Sequence, residues 1–349
     1  MKIAINGFGR IGRVIARVNA ENSSFDIVNI NDIVPSVQNM AYLFKYDSTY
    51  GRYSGSVLIE ENYLNIDGNK SLYSSFQDIR EIPFADKIDV LIDSSGDSKN
   101  INLAKELVNS GKIKKYIFTM SSNLVDEEII YGINETQIDK SSKIFSSSIC
   151  DANAIAHFLN LIDTNYGIIS GSAVTLHPWL SYQNLLDGAA KGISPDPNKY
   201  TPSMENNSHL VGNFALGRSS VGSIIPKETT AISATEKVLK NIHGKIMSFS
   251  YRIPTATVAS ASIFLNTSKI IKKDSFLNEL ENLSKNKIIK LNFEHLTSKD
   301  YEKEQASSVI DVNYIKINKN QIQFILWYDN EWGYSSRVLD LATYISQIK

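Results

Sequence analysis

The sequence predicts an α/β protein of two domains. The first is a parallel sheet wound with helices, and the second is an α+β domain with a mixed or antiparallel sheet. Three observations carry this reading. At 349 residues the chain exceeds what one compact core comfortably organises. Over its first 150 residues, short β-type runs alternate with helical periods, the pattern of βαβ units. From about residue 167 the texture changes to long β-rich runs with few helices between them.

Taken in order, Ile3-Ala4-Ile5 is a first strand and Arg10–Asn19 a helix. Phe25–Ile30 is a second strand. Ile88–Ile92 is a strand followed by a helical Asn100–Ser110 and a further strand, Lys115–Phe118. A β-type run at Lys143–Phe145 precedes an apolar periodic stretch, Ala154–Leu159. Gly171–Leu176, Lys245–Arg252, Thr257–Leu265 and Gln321–Tyr328 are the long β runs of the second domain. A polar loop, Asp187–Asn213, interrupts them. Ser335–Gln347 closes the chain as a helix, with Val338, Leu339, Leu341, Ala342, Tyr344 and Ile345 to one side. The expected boundaries are 1–149 and 150–334, with the helix over about 335–349 packing back on the first domain.

Composition removes several classes of function. A formal net charge of −1 provides no basic field for nucleic acid and no polybasic membrane patch. No apolar run approaches a membrane span, and the apolar start is too short for a signal-peptide core. The single cysteine excludes an intrachain disulfide and a cysteine-pair zinc site, and no metal is expected. A cytoplasmic location is the simplest expectation.

Gly7-Phe8-Gly9-Arg10-Ile11-Gly12 has the form G-x-G-x-x-G. Its context is what a dinucleotide requires, a strand directly before and a helix directly after. The first glycine permits a tight turn and the second lets backbone approach a pyrophosphate. The third allows close helix–strand packing, with the helix N-terminus facing the phosphates. An acidic residue is expected about 20 residues on. Asn31-Asp32 stands there, both expected to bind the cofactor, and the Asp32 carboxylate would accept hydrogen bonds from an adenosine ribose and repel a 2′-phosphate. The first domain is therefore a Rossmann-type unit and NAD its expected cofactor.

Cys150 follows Ser146-Ser147-Ser148-Ile149 at a predicted strand-to-helix junction. There the positive end of the helix dipole favours thiolate over thiol, and the thiolate is the nucleophile.

With these motifs in place the chain resembles the glyceraldehyde-3-phosphate dehydrogenase family over essentially its whole length. The resemblance rests on Asn6–Arg13, Lys45-Tyr46-Asp47-Ser48, Cys150 with Asn153, and Thr175-Leu176-His177. It continues in Ser250–Thr255 and in Trp327–Ser335. It implies that Cys150 attacks an aldehyde to form a thiohemiacetal, with His177 as general base. Hydride then passes to NAD, and inorganic phosphate resolves the thioester. It also implies that Asn330 holds the nicotinamide carboxamide and that Ser95-Gly96 and Thr119 touch the cofactor. A homotetramer acting in glycolysis and gluconeogenesis is the further implication, with the Asp187–Asn213 loop helping to order a neighbour's cofactor site. The other histidines, His157, His209, His243 and His295, match no catalytic motif.

Departures from the family's pattern cluster on anion binding. Ile149 and Asp151 flank the cysteine where the family has hydroxyl residues, Leu180 replaces a threonine, and Ala215 stands at an arginine position. Arg252 is retained, with Arg218 and Thr229 as further anion-binding candidates. A carboxylate about 5 Å from a phosphate dianion is opposed by roughly 6–7 kcal/mol at an effective dielectric near 20. Asp151 therefore either turns away to cap the following helix or marks a site that takes something else. Three readings stay open: the family's phosphorylating dehydrogenase, a divergent member oxidising a different sugar aldehyde, or a non-catalytic NAD-binding protein.

Overall fold

The computed structural model describes residues 1–22, 25–84, 87–190 and 214–348. The chain runs β1 (Lys2–Asn6), α1 (Arg10–Asn22), β2 (Asp26–Asn31), α2 (Val37–Lys45), β3 (Tyr46–Asp47) and β4 (Gly51–Arg52). It continues through β5 (Val57–Glu60), β6 (Tyr63–Ile66), β7 (Asn69–Ser74), β8 (Ile88–Asp93), α3 (Lys99–Asn109), β9 (Ile113–Phe118), β10 (Glu127–Glu128) and β11 (Ile144–Ser146). Next come α4 (Cys150–Tyr166), β12 (Ile168–Pro178), β13 (Ile225–Lys227), α5 (Ala231–Val238), β14 (Ile246–Ile253) and β15 (Ala259–Thr267). The chain ends with α6 (Lys273–Ser284), β16 (Ile289–Asn292), β17 (Ser308–Asn318), β18 (Gln321–Tyr328) and α7 (Trp332–Gln347). These elements form two compact units, Met1–Ser148 with Ser335–Lys349, and Ile149–Tyr334.

The first unit is built on a nine-stranded sheet in the order β10-β11-β9-β8-β1-β2-β7-β6-β5. From β10 to β7 the strands are parallel, as expected for βαβ units. Strand β1 lies between β2 and β8, so the winding changes direction there. In such sheets ligands bind at the carboxyl end of that switch point. The hairpins β5–β6 and β6–β7 add an antiparallel edge. Apolar side chains from α3 (Ile101, Ala104, Leu107) pack with Ile88, Leu91, Tyr116 and Phe118 of the sheet. At the far end of α7, the buried Lys115 ammonium donates to the carbonyls of Ile345 and Ile348, the latter at 3.1 Å. A cation at a helix C-terminus complements its dipole.

The second unit holds a seven-stranded mixed sheet, β13-β14-β12-β15-β18-β17-β16. The pairs β12–β14 and β16–β17 are parallel and the others antiparallel. Helix α4 lays Ile155, Phe158, Leu159 and Ile162 onto one face, where Phe158 meets Phe324 of β18 at 3.9 Å between ring centroids. On the other face Leu176, Met247 and Phe249 are exposed. Strand β15 begins at Ala259 rather than Thr257, because Val258 takes a left-handed φ of 66° that breaks the ladder. Helix α7 begins at Trp332 rather than Ser335. The Asp329 carboxylate accepts from the backbone N–H groups of Glu331 and Trp332 and starts the helix early. Among the described residues, no helix is long and apolar enough to cross a membrane.

Candidate active site

The glycine loop leaves the carboxyl end of β1. Gly7 has φ +85°, and a Cβ there would stand 2.5 Å from the Ser95 backbone nitrogen. A Cβ on Gly12 would stand 2.1 Å from the Gly7 carbonyl oxygen. Internal packing thus demands both glycines. Gly9 is different, since a Cβ there would meet nothing within 4 Å. A close-approaching ligand explains a glycine there, so the loop fits a dinucleotide pyrophosphate.

Asp32 lies one residue past β2. Its Oδ2 accepts the Phe8 N–H at 2.6 Å and its Oδ1 accepts the Val34 N–H at 3.0 Å. The carboxylate therefore shapes the glycine loop. Phe8 is buried and stacks on Phe44. Arg10 pairs with Asp47 at 2.5 Å, and Ile11 is half-buried beside it. Asn31 was expected to touch the cofactor, but its side chain is committed inside the unit. It donates to Asn6 Oδ1 and the Phe76 carbonyl and accepts from Ser74 Oγ and the Phe76 N–H. Ser95 donates through backbone and hydroxyl to the buried Asp93, at 2.9 and 2.6 Å, which fixes the turn into Gly96 (φ +78°). The Thr119 hydroxyl donates to the Asp93 carbonyl at 3.0 Å, leaving that oxygen's lone pairs free to accept.

In the second unit Cys150 is the first residue of α4, after Ile149 in an extended conformation. His177 stands near the end of β12, in register with Arg252 on the parallel neighbour β14. Its Nε2 lies 3.7 Å from the Cys150 sulfur, and its Nδ1 is 2.9 Å from the Pro178 carbonyl oxygen. That carbonyl can only accept, so Nδ1 carries the proton and Nε2 presents its lone pair to the sulfur. Burial, reinforced by Arg252, lowers the His177 pKa to about 4, so the imidazole is neutral near pH 7.

The thiol departs from expectation. The helix dipole was expected to favour thiolate, yet burial and then the Asp151 charge push the Cys150 pKa well above the ordinary thiol range. Asp151 does not cap α4 and does not turn away. It is buried, accepts the Tyr328 hydroxyl at 2.7 Å, and lies 3.7 Å from the Cys150 sulfur. The resting pair is a neutral thiol beside a neutral imidazole. Cys150, Asp151 and His177 bring three donor atoms within 4.8 Å of one another. The cations beside them, Arg252 and Lys227, oppose a metal dication at that point.

Arg252 is buried, donating to the Pro178 carbonyl at 3.4 Å and to the Tyr182 hydroxyl at 3.1 Å. Arg218 does not join this group. It is exposed and pairs with Asp187 at 2.7 Å. The Thr229 hydroxyl accepts the Ala231 N–H at 3.2 Å, at the start of α5. Asn330 is buried and its Oδ1 accepts from Thr257 Oγ1 at 3.4 Å, while its amide nitrogen has no partner among the described residues. His157 is buried on α4, His243 faces Glu236 at the surface, and His295 is exposed. His209 and most of the Asp187–Asn213 loop lie outside the described residues. Sequence reasoning missed Lys227, Tyr182 and Tyr328. Only Tyr328 had a signal, since it sits in the Trp327–Ser335 motif.

A dinucleotide loop at a switch point in one unit and a thiol–imidazole pair in the other are the parts of an NAD-dependent oxidoreductase acting on an aldehyde. Comparison with known proteins agrees. The family model for the NAD-binding domain of glyceraldehyde 3-phosphate dehydrogenase matches residues 1–101, and that for its C-terminal domain matches residues 198–330. The chain is 32% identical to the glyceraldehyde-3-phosphate dehydrogenase of Eremothecium gossypii over 99% of both chains. It is 30% identical to glyceraldehyde-3-phosphate dehydrogenase 2 of Saccharomyces cerevisiae, again over 99% of both. It is 31% identical to a chloroplastic glyceraldehyde-3-phosphate dehydrogenase of Arabidopsis thaliana, over 99% of this chain and 78% of that one. The chain belongs to the glyceraldehyde-3-phosphate dehydrogenase family, and NAD is its cofactor.

Proposed function

We propose that this chain oxidises glyceraldehyde 3-phosphate, or a closely related phosphosugar aldehyde, through a covalent cysteine cycle that ends in phosphorolysis. The observation that carries the reading is the Cys150 sulfur 3.7 Å from a His177 Nε2 whose lone pair is free. As the sulfur adds to the aldehyde carbon, its proton passes to Nε2 and on to the former carbonyl oxygen, so that a thiohemiacetal forms and Nε2 is free again. His177 then takes that hydroxyl proton as a hydride leaves the same carbon and the adduct becomes a thioester. Bound NAD supplies the hydride acceptor, with the Gly7–Gly12 loop and Asp32 as its cradle, Ser95, Gly96 and Thr119 beside it, and Asn330 for the carboxamide. A phosphate oxygen attacks the thioester carbon, the carbon–sulfur bond breaks, and an acyl phosphate leaves the regenerated cysteine. A neutral base near pH 7 suits both proton transfers.

Asp151 favours a second substrate reading. Its carboxylate faces the thiol and could accept from a hydroxyl or amine of a different aldehyde. The deciding experiment is NAD reduction with a panel of phosphorylated and unphosphorylated aldehydes, with and without inorganic phosphate. Phosphate-dependent turnover of glyceraldehyde 3-phosphate supports the first reading. Phosphate-independent turnover of another aldehyde supports the second, and no turnover with any aldehyde overturns both.

We further infer a homotetramer acting in the cytoplasm, in glycolysis or its reversal. The exposed apolar face at Leu176, Met247 and Phe249 supports assembly, because such a sheet face is normally covered.

A further inference from the structure

We propose that Lys227 is the specificity-determining cation of this site, binding the phosphate group of the ligand together with Arg252. The inference deepens the acyl-transfer reading and rests on it. Strand β13 pairs antiparallel with β14, with Ile225 opposite Arg252 and Lys227 opposite Ser250. Side chains two residues apart share a face, so Lys227 and Arg252 are diagonal neighbours on one face. Lys227 is 9% exposed, and among the described residues its ammonium makes no hydrogen bond or ion pair. It lies within Coulombic reach of Arg252, Asp151 and Cys150. Arg252 is also incompletely satisfied, since its buried Nε has no partner.

A buried, unpaired cation is costly to a fold, and two in mutual repulsion are costlier. Of the carboxylates that act on Lys227, Asp151 is taken up by Tyr328 and Glu228, the next residue in the chain, is exposed. Among the buried groups, two positive charges, Lys227 and Arg252, against one negative, Asp151, leave a net charge of +1 while the thiol and imidazole are neutral. A phosphate dianion satisfies both cations at once. A neutral or cationic group would leave their repulsion standing. Phosphate reaches this site either as the ester of the aldehyde or as the free ion that resolves the thioester.

The test uses Lys227→Met and Lys227→Arg in the full-length enzyme. With glyceraldehyde 3-phosphate as substrate, KM for the aldehyde and KM for inorganic phosphate are measured separately from kcat. Lys227→Met should raise one KM at least about tenfold with a smaller change in kcat, and Lys227→Arg should recover most of it. A raised aldehyde KM assigns the ester, and a raised phosphate KM assigns the free ion. A structural role is separated by melting temperature, because removing an unpaired buried charge should not lower it. A binding readout independent of turnover is protection of Cys150 from iodoacetamide by inorganic phosphate or glycerol 3-phosphate. Protection should be present in the parent and weakened at least about tenfold in Lys227→Met. Equal protection in both proteins, or both KM values within twofold of the parent, would overturn the assignment even if the enzyme turns over normally. Absence of turnover with intact, Lys227-dependent protection would instead overturn the reaction and leave the anion site standing.

Discussion

The Asp151 carboxylate stands 3.7 Å from the Cys150 sulfur, held there by the Tyr328 hydroxyl. An acid so placed disfavours the thiolate that the helix dipole would otherwise support. Removing the charge while keeping the shape, in Asp151→Asn, should therefore make the thiol more reactive. The rate of iodoacetamide alkylation at pH 7 should rise by about an order of magnitude, the scale of a close charge–charge interaction at a partly screened site. A rate equal to or below the parent's would show that Asp151 does not govern the thiol.

Acidity has a sign that follows from the same pair. His177 titrates at about 4, so its base function is present above that pH and lost below it. Cys150 is raised, so the thiolate fraction keeps growing as pH rises through neutrality. Alkylation of the parent should climb steadily from pH 6 to 9, with no plateau near 7. His177→Asn should lower turnover by about 10²–10⁴, and Cys150→Ser should abolish acyl-enzyme formation. A flat alkylation profile above pH 6 would contradict the neutral resting pair.

The site's anion affinity should fall on the alkaline side. Burial, then Arg252, brings Lys227 down to about 8, against the opposing pull of Asp151, Cys150 and Glu228. Lysine is charged below its pKa, so phosphate is held tightly below pH 8 and loosened above it. In a pH series, KM for the phosphate-bearing ligand should rise through pH 8–9 in the parent and not in Lys227→Arg.

The glycine loop separates folding from cofactor binding. Gly9→Ala should leave the melting temperature within a degree or two, since the new methyl meets no neighbour, while weakening NAD binding at least about tenfold. Gly12→Ala should unfold or strongly destabilise the protein, because its methyl would collide with the Gly7 carbonyl. Equal NAD affinity in Gly9→Ala and the parent would remove the loop from the cofactor site.

Asp32→Ala should narrow the NAD-over-NADP ratio of kcat/KM and lower stability by about 1–3 kcal/mol. The residue is proposed to read the ribose position, and it accepts the Phe8 N–H. Comparable efficiency with both cofactors in the parent would refute the reading of Asp32.

Assembly is open to light scattering. A mass four times that of the chain is expected, and Phe249→Glu, on the exposed apolar face, should reduce it. A monomer mass at micromolar concentration would refute the tetramer.

Much of this was legible in the sequence, for reasons that differ by residue. Gly7–Gly12, Cys150 and His177 are local motifs whose neighbours in sequence are also their structural context. Lys227 acquires its meaning only from the β13–β14 register, which no local pattern encodes. Arg218 reads like an anion binder until Asp187, 31 residues away in sequence, is seen to neutralise it. Asp151 could cap a helix or face a thiol with equal local logic. Tyr328, 177 residues further on, decides it. Asn31 beside Asp32 looked like a ligand contact, and its four internal bonds show why a polar residue there serves the sheet instead.

The first unit takes its last helix from the far end of the chain, and Lys115 grips the carbonyls at that helix's end. On the ribosome, the N-terminal sheet must therefore wait through synthesis of nearly two hundred further residues before it can close. Until α7 emerges, the face it will cover is open and the Lys115 ammonium lacks its carbonyl partners. The first unit should therefore mature late, only after the intervening second unit has been synthesised.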